Sequence, residues 1–288
     1  MRRTSWSTLA VLVLFQLTTS ACAQTPASQA SLTLTPLWET DTLLTTIESA
    51  IYDPETNVIY TANIDGHFME KDGQGSIGKV TLDGRIVDAK WVSGLHAPTG
   101  TGIHNGHLFV TDIDAIVEIN LATAEVVRRV PIDGAVALND LAIAPDGTVY
   151  VSDTGGNTVY ALREGVIEPV AESLDTPNGL LVEGGRLLIT RWTPRTVDWL
   201  DLGTQALTPM AQDIAGPDGL EAVGDGSYLA SGFDGRIYHV HADGRKTLLL
   251  DTSGDGIRAA DIDYIPETRL LLVPTMQSNR LMAYRLSE

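Results

Sequence analysis

The amino-acid sequence predicts an all-β fold, a six-bladed β-propeller closed by an N-terminal strand. Two observations predict it: short runs rich in β-branched and aromatic residues recur along the chain, and a turn followed by such a run repeats six times at a period near forty residues. These runs are too short for helices, and no helical period is evident after residue 23. Several short strands in each forty-residue unit are typical of propeller blades, whereas a two-sheet sandwich would not explain the regular spacing.

Each repeat contains one equivalent anchor position, which precedes a turn and an apolar run. In chain order the six anchors are Glu48, Thr99, Asn139, Asn178, Asp218 and Asp261. Their spacings are 51, 40, 39, 40 and 43 residues. The long first interval contains an insertion, residues 66–74, which either covers a pocket as a lid or is simply exposed.

The third repeat shows the predicted unit best. We expect its four strands, from the innermost to the outermost, at residues 140–144, 148–152, 158–162 and 166–171. The last repeat reaches only a third strand, residues 280–286. The N-terminal run 31–37 belongs to no repeat, so it is expected to supply the missing strand and close the ring. Closure removes the open sheet edges that would otherwise favour aggregation.

The first 23 residues have the pattern of a signal peptide. Arg2 and Arg3 precede a short apolar core, and Ala21-Cys22-Ala23 fits the small-x-small rule for cleavage before residue 24. We therefore expect a periplasmic or secreted protein whose single propeller domain covers residues 24–288. The alternative is a lipoprotein anchored through Cys22, the only cysteine of the sequence.

The predicted mature chain is strongly acidic. Without residues 1–23 it has 17 Lys and Arg against 37 Asp and Glu, a net charge of −20. Such a surface repels nucleic acids and anionic membranes, so neither is an expected partner. A closed ring with an acidic surface favours a monomer.

The anchors carry the chemistry that the sequence indicates. All six side chains bear oxygen, none is Lys or Arg, and the innermost strands of a propeller bring equivalent residues to one mouth of the central channel. Carboxylate and amide oxygens are the ligands of a hard divalent cation, and Ca²⁺ fits them best, with Zn²⁺ or Mn²⁺ as alternatives. The competing interpretation is that Asn178-Gly179 and Asp218-Gly219 are ordinary turns.

Four segments carry a resemblance to a known family. Residues 48–54, 139–140, 177–180 and 217–220 resemble the regucalcin/gluconolactonase family of six-bladed propellers. The resemblance implies that Glu48, Asn178 and Asp218 hold a single divalent cation. It also implies catalytic or substrate-contacting roles for Asn139, Asp140 and Asp218, with Asp218 as the base that opens a lactone ring.

Two positions depart from the family's pattern. Ala137 stands where sugar-lactone hydrolases of this family commonly have Arg, and Tyr52 stands where Trp is common. The missing Arg weakens the case for a polyhydroxylated sugar lactone, and a smaller or more apolar lactone or ester fits as well.

The sequence therefore leads to two main functional hypotheses. The first is a metal-dependent hydrolase of small-molecule lactones or esters. The second is a non-catalytic propeller that binds a ligand or a protein. A synthase-like propeller without metal catalysis is disfavoured by the carboxylates at the anchors. Among the histidines, only His96 lies close enough to an anchor in sequence to be a candidate for proton transfer.

Overall fold

The structure is a computed structural model that describes residue 1 and residues 32–288. The expected signal peptide and Cys22 lie outside the described residues, so export and lipid anchoring remain predictions. Within the described part of the chain there are twenty-four β-strands and one short 3-10 turn, Ser253–Asp255. No helix there is long and apolar enough to cross a membrane.

The strands follow one another as a single N-terminal strand and six blades. The N-terminal strand is β1, Thr33–Glu39. Blade 1 comprises β2 (Ile47–Asp53), β3 (Val58–Asn63), β4 (Gly75–Thr81) and β5 (Ile86–Leu95). Blade 2 comprises β6 (Pro98–His104), β7 (His107–Asp112), β8 (Ala115–Asn120) and β9 (Val126–Pro131). Blade 3 comprises β10 (Leu138–Ile143), β11 (Val149–Asp153), β12 (Thr158–Arg163) and β13 (Val166–Glu172).

The second half of the chain continues the same pattern. Blade 4 comprises β14 (Pro177–Glu183), β15 (Arg186–Arg191), β16 (Thr196–Asp201) and β17 (Leu207–Ala211). Blade 5 comprises β18 (Pro217–Ala222), β19 (Tyr228–Gly232), β20 (Arg236–Val240) and β21 (Lys246–Asp251). Blade 6 takes β22 (Asp263–Ile265), β23 (Leu270–Pro274) and β24 (Leu281–Ser287) from the C-terminal part of the chain. The all-β six-bladed propeller predicted from the repeat is therefore confirmed.

The sixth blade is completed by the N-terminal strand. Its sheet order is β1-β24-β23-β22, and β1 runs antiparallel to β24 with Thr33 opposite Ser287. A bulge between Pro36 and Trp38 shifts the register once. Ring closure by the N-terminal run is thus confirmed, with the strand beginning two residues later than expected.

The hydrophobic core is divided among the interfaces between blades. Six clusters of buried residues each join two neighbouring blades, and the cluster between blades 6 and 1 packs Ile47 and Ile59 against Leu272 and Leu281. A blade is covered on both faces, so most residues of its second strand are buried, and in β11 all five are. This double burial explains why the sequence shows short continuous apolar runs rather than strict alternation.

Buried aspartates fix two of the passages from one blade to the next. The carboxylate of Asp112, at the end of β7, accepts the backbone N–H groups of His96 and Ala97 at 2.9 and 2.8 Å. At the end of β11, Asp153 accepts the N–H of Ala137 at 2.8 Å. Both carboxylates hold the chain in place just before an innermost strand begins.

Candidate active site at the channel mouth

Five of the six anchors meet at one end of the central channel. They line a cavity of about 670 Å³ and are Glu48, Thr99, Asn139, Asn178 and Asp218. The sixth anchor, Asp261, is not among the lining residues; its backbone N–H donates to the carbonyl oxygen of Glu48 at 3.0 Å. We call this end of the channel the mouth.

Close approach of neighbouring innermost strands explains the glycine that follows several anchors. A β-carbon on Gly179 would overlap the carbonyl oxygen of Asp218, and one on Gly219 would lie 2.5 Å from the backbone nitrogen of Ile262. Both glycines lie inside strands β14 and β18, and neither has a positive φ. The interpretation of these pairs as ordinary turns is therefore wrong: the glycines are there because the strands touch.

Hydroxyl groups at the ends of the second strands hold the anchor backbones, and sequence reasoning missed them. Thr111 donates to the carbonyl oxygen of Asn139 at 2.6 Å, and Thr190 donates to that of Asp218 at 2.9 Å. Each bond links one blade to the innermost strand of the next blade. The signal is present in the sequence, because the penultimate residue of β7, β11, β15 and β19 is Thr or Ser in each case.

The carboxylates at the mouth are buried and close to one another. Glu48 and Asp218 are only 5% and 3% exposed. Burial, together with repulsion from Asp140, raises the pKa of Asp218 to about 7. A hydrogen bond from the Asn178 side chain acts in the opposite direction and lowers this pKa. Burial, and then repulsion from Asp218, raises the pKa of Glu48 well above its ordinary value. The mouth therefore favours any species that neutralises negative charge.

Three oxygen atoms at the mouth have no hydrogen-bond partner among the described residues. They are Glu48 Oε2, Asn139 Oδ1 and Asn178 Oδ1, and all three are buried. A buried acceptor left unsatisfied costs about 1–3 kcal/mol, so such atoms are rare unless a ligand satisfies them. Unpaired carboxylate and amide oxygens beside Asp218 fit a hard cation.

The donor set is nevertheless poor in charged ligands. Within residues 32–288 no three side chains of His, Cys, Asp or Glu are grouped as a metal site. The set implied by the resemblance has two carboxylates, Glu48 and Asp218, and its third member, Asn178, is a neutral amide. Binding by this set would therefore suit a cation that accepts neutral oxygen ligands, as Ca²⁺ does.

Asp140 lies behind the mouth and does not line the cavity. Its two carboxylate oxygens accept the backbone N–H groups of Leu141 and Leu180, each at 2.6 Å, which ties β10 to β14. Burial raises the pKa of Asp140 to about 7, although these two hydrogen bonds lower it. The contacts give Asp140 a structural role, and its catalytic role stays a prediction.

Further acidic residues follow along the innermost strands. Burial, and then repulsion from Asp140 and Glu48, raises the pKa of Asp261 well above its ordinary value. Burial raises the pKa of Asp263 to about 7, while a hydrogen bond from the Tyr52 N–H, at 2.8 Å, lowers it. The channel thus carries acidic groups beyond the two that line the cavity.

Large apolar side chains form part of the cavity wall, although Thr154, Thr176 and Gln277 also line it. Ile64, Phe68, Trp192, Phe233 and Met276 all line it. The rings of Trp192 and Phe233 are 5.4 Å apart between centroids and tilted by 60°. The sequence patterns gave no indication of this aromatic pair, because each residue stands in a connection just after a second strand.

The insertion of blade 1 reaches the cavity. Its first three residues, Gly66, His67 and Phe68, line the cavity, and Phe68 remains 62% exposed. His96, the histidine that the sequence singled out, is not a lining residue; its Nδ1 accepts the N–H of Gly73 at 3.2 Å. The histidine that does line the cavity is His67.

The whole described fold is similar to solved structures of two enzymes. A gluconolactonase from Xanthomonas campestris has 18% identity and a TM-score of 0.66, over 88% of this chain and 89% of that one. A catalytically inactive variant of virginiamycin B lyase from Staphylococcus aureus, solved with quinupristin, has 14% identity and a TM-score of 0.61, over 89% of this chain and 99% of that one.

Sequence comparison gives no closer relationship. No protein-family model matches the sequence, and no curated protein is significantly similar to it. At these identities the structural likeness concerns the fold. The chain is thus a six-bladed β-propeller, a fold that the gluconolactonase and virginiamycin B lyase also adopt.

Proposed function

We propose that the protein is a hydrolase of lactones or esters that depends on a divalent cation at the channel mouth. The observation that carries the proposal is the group of three buried, unpaired oxygens, on Glu48, Asn139 and Asn178, beside the carboxylate of Asp218. The likeness in fold to a gluconolactonase supports the same chemistry.

Glu48, Asn178 and Asp218 would hold the cation, and Ca²⁺ is the ion that their oxygens suit best. The cation, when bound, supplies Lewis-acid stabilisation of the negative charge that develops on a carbonyl oxygen. Asn139 lies on the cavity floor, where its amide can orient the substrate.

Asp218 would serve as the base. A water molecule adds to the carbonyl carbon, and a proton of this water passes to the Asp218 carboxylate. The carbon–oxygen bond of the ring or ester then breaks, and the proton returns to the departing alkoxide oxygen. The products are a hydroxy acid from a lactone, or an acid and an alcohol from an ester.

A non-catalytic binding propeller is the second candidate. It is favoured by Asp140, which the resemblance implies is an active-site residue but which does not line the cavity and instead accepts two backbone N–H groups. This candidate also keeps the cavity but requires no turnover.

A panel of small lactones and esters tests the proposal. We expect hydrolysis by the protein in Ca²⁺, loss of activity in chelator, and loss in Asp218→Ala. The control is Glu267→Ala, an exposed carboxylate in the turn after β22, which should retain activity. Absence of turnover on every substrate, combined with a melting temperature that does not respond to chelator, would exclude the metal hydrolase and favour the binding propeller.

A further inference from the structure

The cavity has two tiers that come from different positions of the blade. The floor consists of the anchors on the innermost strands. Above it lie apolar side chains from the connections that follow the second strands, and we call this group the collar. The collar consists of Ile64, Trp192, Phe233 and Met276.

Strand register places the two aromatic collar residues just beyond the ends of the two sheets in which the anchors Asn178 and Asp218 lie. Pro177 and Arg191 form the last pair between β14 and β15. Trp192 follows Arg191 and therefore lies beyond the end of the sheet. Asn178 follows Pro177 and therefore lies one residue inside the sheet. Blade 5 repeats this arrangement, with Phe233 beyond the sheet end and Asp218 inside. The aromatic pair therefore belongs to the same two blades as the anchors Asn178 and Asp218.

Backbone hydrogen bonds fix the chain at both aromatic residues, and each ring also has a close neighbour. The N–H of Trp192 donates to the carbonyl oxygen of Thr176 at 2.9 Å, and that of Phe233 donates to the carbonyl oxygen of Gly216 at 2.7 Å. A β-carbon on Gly216 would lie 3.1 Å from the Trp192 ring, so the glycine admits the indole. The Arg258 guanidinium lies 4.3 Å from the centre of the Phe233 ring. A fixed apolar surface of this kind loses little side-chain entropy when a ligand binds.

The charge of the lining restricts the ligand further. Among the described residues, the lining includes two carboxylates, Glu48 and Asp218, and no Lys or Arg. An anionic ligand would therefore meet no protein cation in this cavity. A ligand covered with hydroxyl groups would lose hydration against the four collar side chains without finding donors or acceptors on them. Polar side chains stand elsewhere in the lining, among them Thr154, Thr176 and Gln277, so the apolar surface is confined to the collar.

We infer that the cavity selects neutral lactones or esters that carry an alkyl or aryl substituent, with the carbonyl at the anchors and the substituent against Trp192 and Phe233. This inference rests on the proposed function for the reaction. The binding preference can be measured without any reaction.

The first arm of the test measures hydrolysis of γ-lactones with side chains of zero, two, four and six carbons, beside gluconolactone. A buried methylene contributes enough transfer free energy for about a fourfold gain, so kcat/KM should rise by about two- to fourfold per added carbon. Trp192→Ala should flatten this rise, and Trp192→Phe should restore most of it. Trp199→Ala, which removes a tryptophan from β16 away from the mouth, should leave the rise intact.

The second arm measures binding of the matching 5-alkyl-2-pyrrolidinones by calorimetry, since these lactams are poor substrates for hydrolysis. Affinity that rises with chain length and falls in Trp192→Ala supports the inference, even if no lactone is hydrolysed and the proposed function fails. The inference is overturned if lactam affinity does not change with chain length. It is also overturned if the protein hydrolyses gluconolactone in preference to every alkyl lactone. Should Trp192→Ala fail to fold, Phe233→Leu gives the same comparison.

Discussion

The carbonyl oxygen of Asp218 occupies the space that a β-carbon on Gly179 would need. The two residues belong to neighbouring innermost strands, β14 and β18. Gly179 directly follows the anchor Asn178, and Asp218 is itself an anchor. The position of Asp218 at the mouth therefore depends on the absence of a side chain in the adjacent blade.

Gly179→Ala should be strongly destabilising. The new methyl group meets backbone rather than a movable side chain, so the strands must separate, at a cost of about 1–3 kcal/mol or more. Gly254→Ala is the matched control, because nothing lies within 4 Å of a β-carbon there and its φ is not positive. Denaturant unfolding of the two variants measures the difference, and equal stabilities would show that the strands can move apart freely.

Asp140→Ala should act chiefly on stability. It removes both acceptors of the Leu141 and Leu180 N–H groups, and leaving two buried donors unpaired should cost about 2–4 kcal/mol. Asp140→Asn keeps one acceptor and should recover part of that loss. The measurement is the free energy of unfolding beside kcat. A variant with native stability and abolished turnover would instead establish the catalytic role that the sequence predicts.

Chelated protein should lose stability as the pH rises from about 5 to 8. Six carboxyl groups have raised pKa values in the fold: Glu48, Asp140, Asp218, Glu221, Asp261 and Asp263. In the unfolded chain such groups lose their protons near pH 4, so between about pH 4 and 7 the folded state binds more protons. Stability therefore falls as the pH rises through this range, and the fall continues until the pH exceeds the raised pKa values of the folded state, which are about 7 for Asp140, Asp218 and Asp263.

Melting temperatures at pH 5 and pH 8 measure this effect. Asp261→Asn removes a carboxylate that adds to the repulsion on its neighbours, so the difference between the two temperatures should shrink. Glu267→Gln, at an exposed position, should leave the difference unchanged. A melting temperature that rises from pH 5 to 8 in chelator would contradict the prediction.

Loss of β1 should open the ring. A chain that starts at residue 40 lacks the outer strand of blade 6, which exposes the edge of β24 and the apolar face that Trp38 covers. We expect a lower melting temperature and aggregation, because an unpaired edge recruits other strands. A chain that starts at Leu32 retains β1 and is the control. Equal stability and solubility of both chains would refute the importance of closure.

The repeat and the anchors could be predicted from the sequence because both are periodic. One oxygen-bearing residue near every fortieth position placed Glu48, Asn139, Asn178 and Asp218 at a common mouth, and the structure brings these four together. Turn residues and apolar runs likewise located the strands of blade 3 to within about two residues.

The collar could not be predicted in this way. Trp192 and Phe233 stand in connections of different composition, and their proximity depends on how blades 4 and 5 pack. The role of Gly179 likewise depends on the packing of β14 against β18, because the sequence alone suggests that it is a turn residue. Local sequence cannot distinguish a glycine that bends the chain from one that admits a neighbouring strand.

The pairing of β1 with β24 also sets the order in which the protein can mature. Thr33 lies opposite Ser287, so the last blade joins residues that are 254 positions apart in the chain. Blades 1 to 5 each consist of consecutive strands and can form as the chain emerges. The sixth can form only after the ribosome has delivered β24, and until then β1 has no partner. The ring can therefore close only after β24 has been made, and a chain that ends before β24 cannot close by the same pairing.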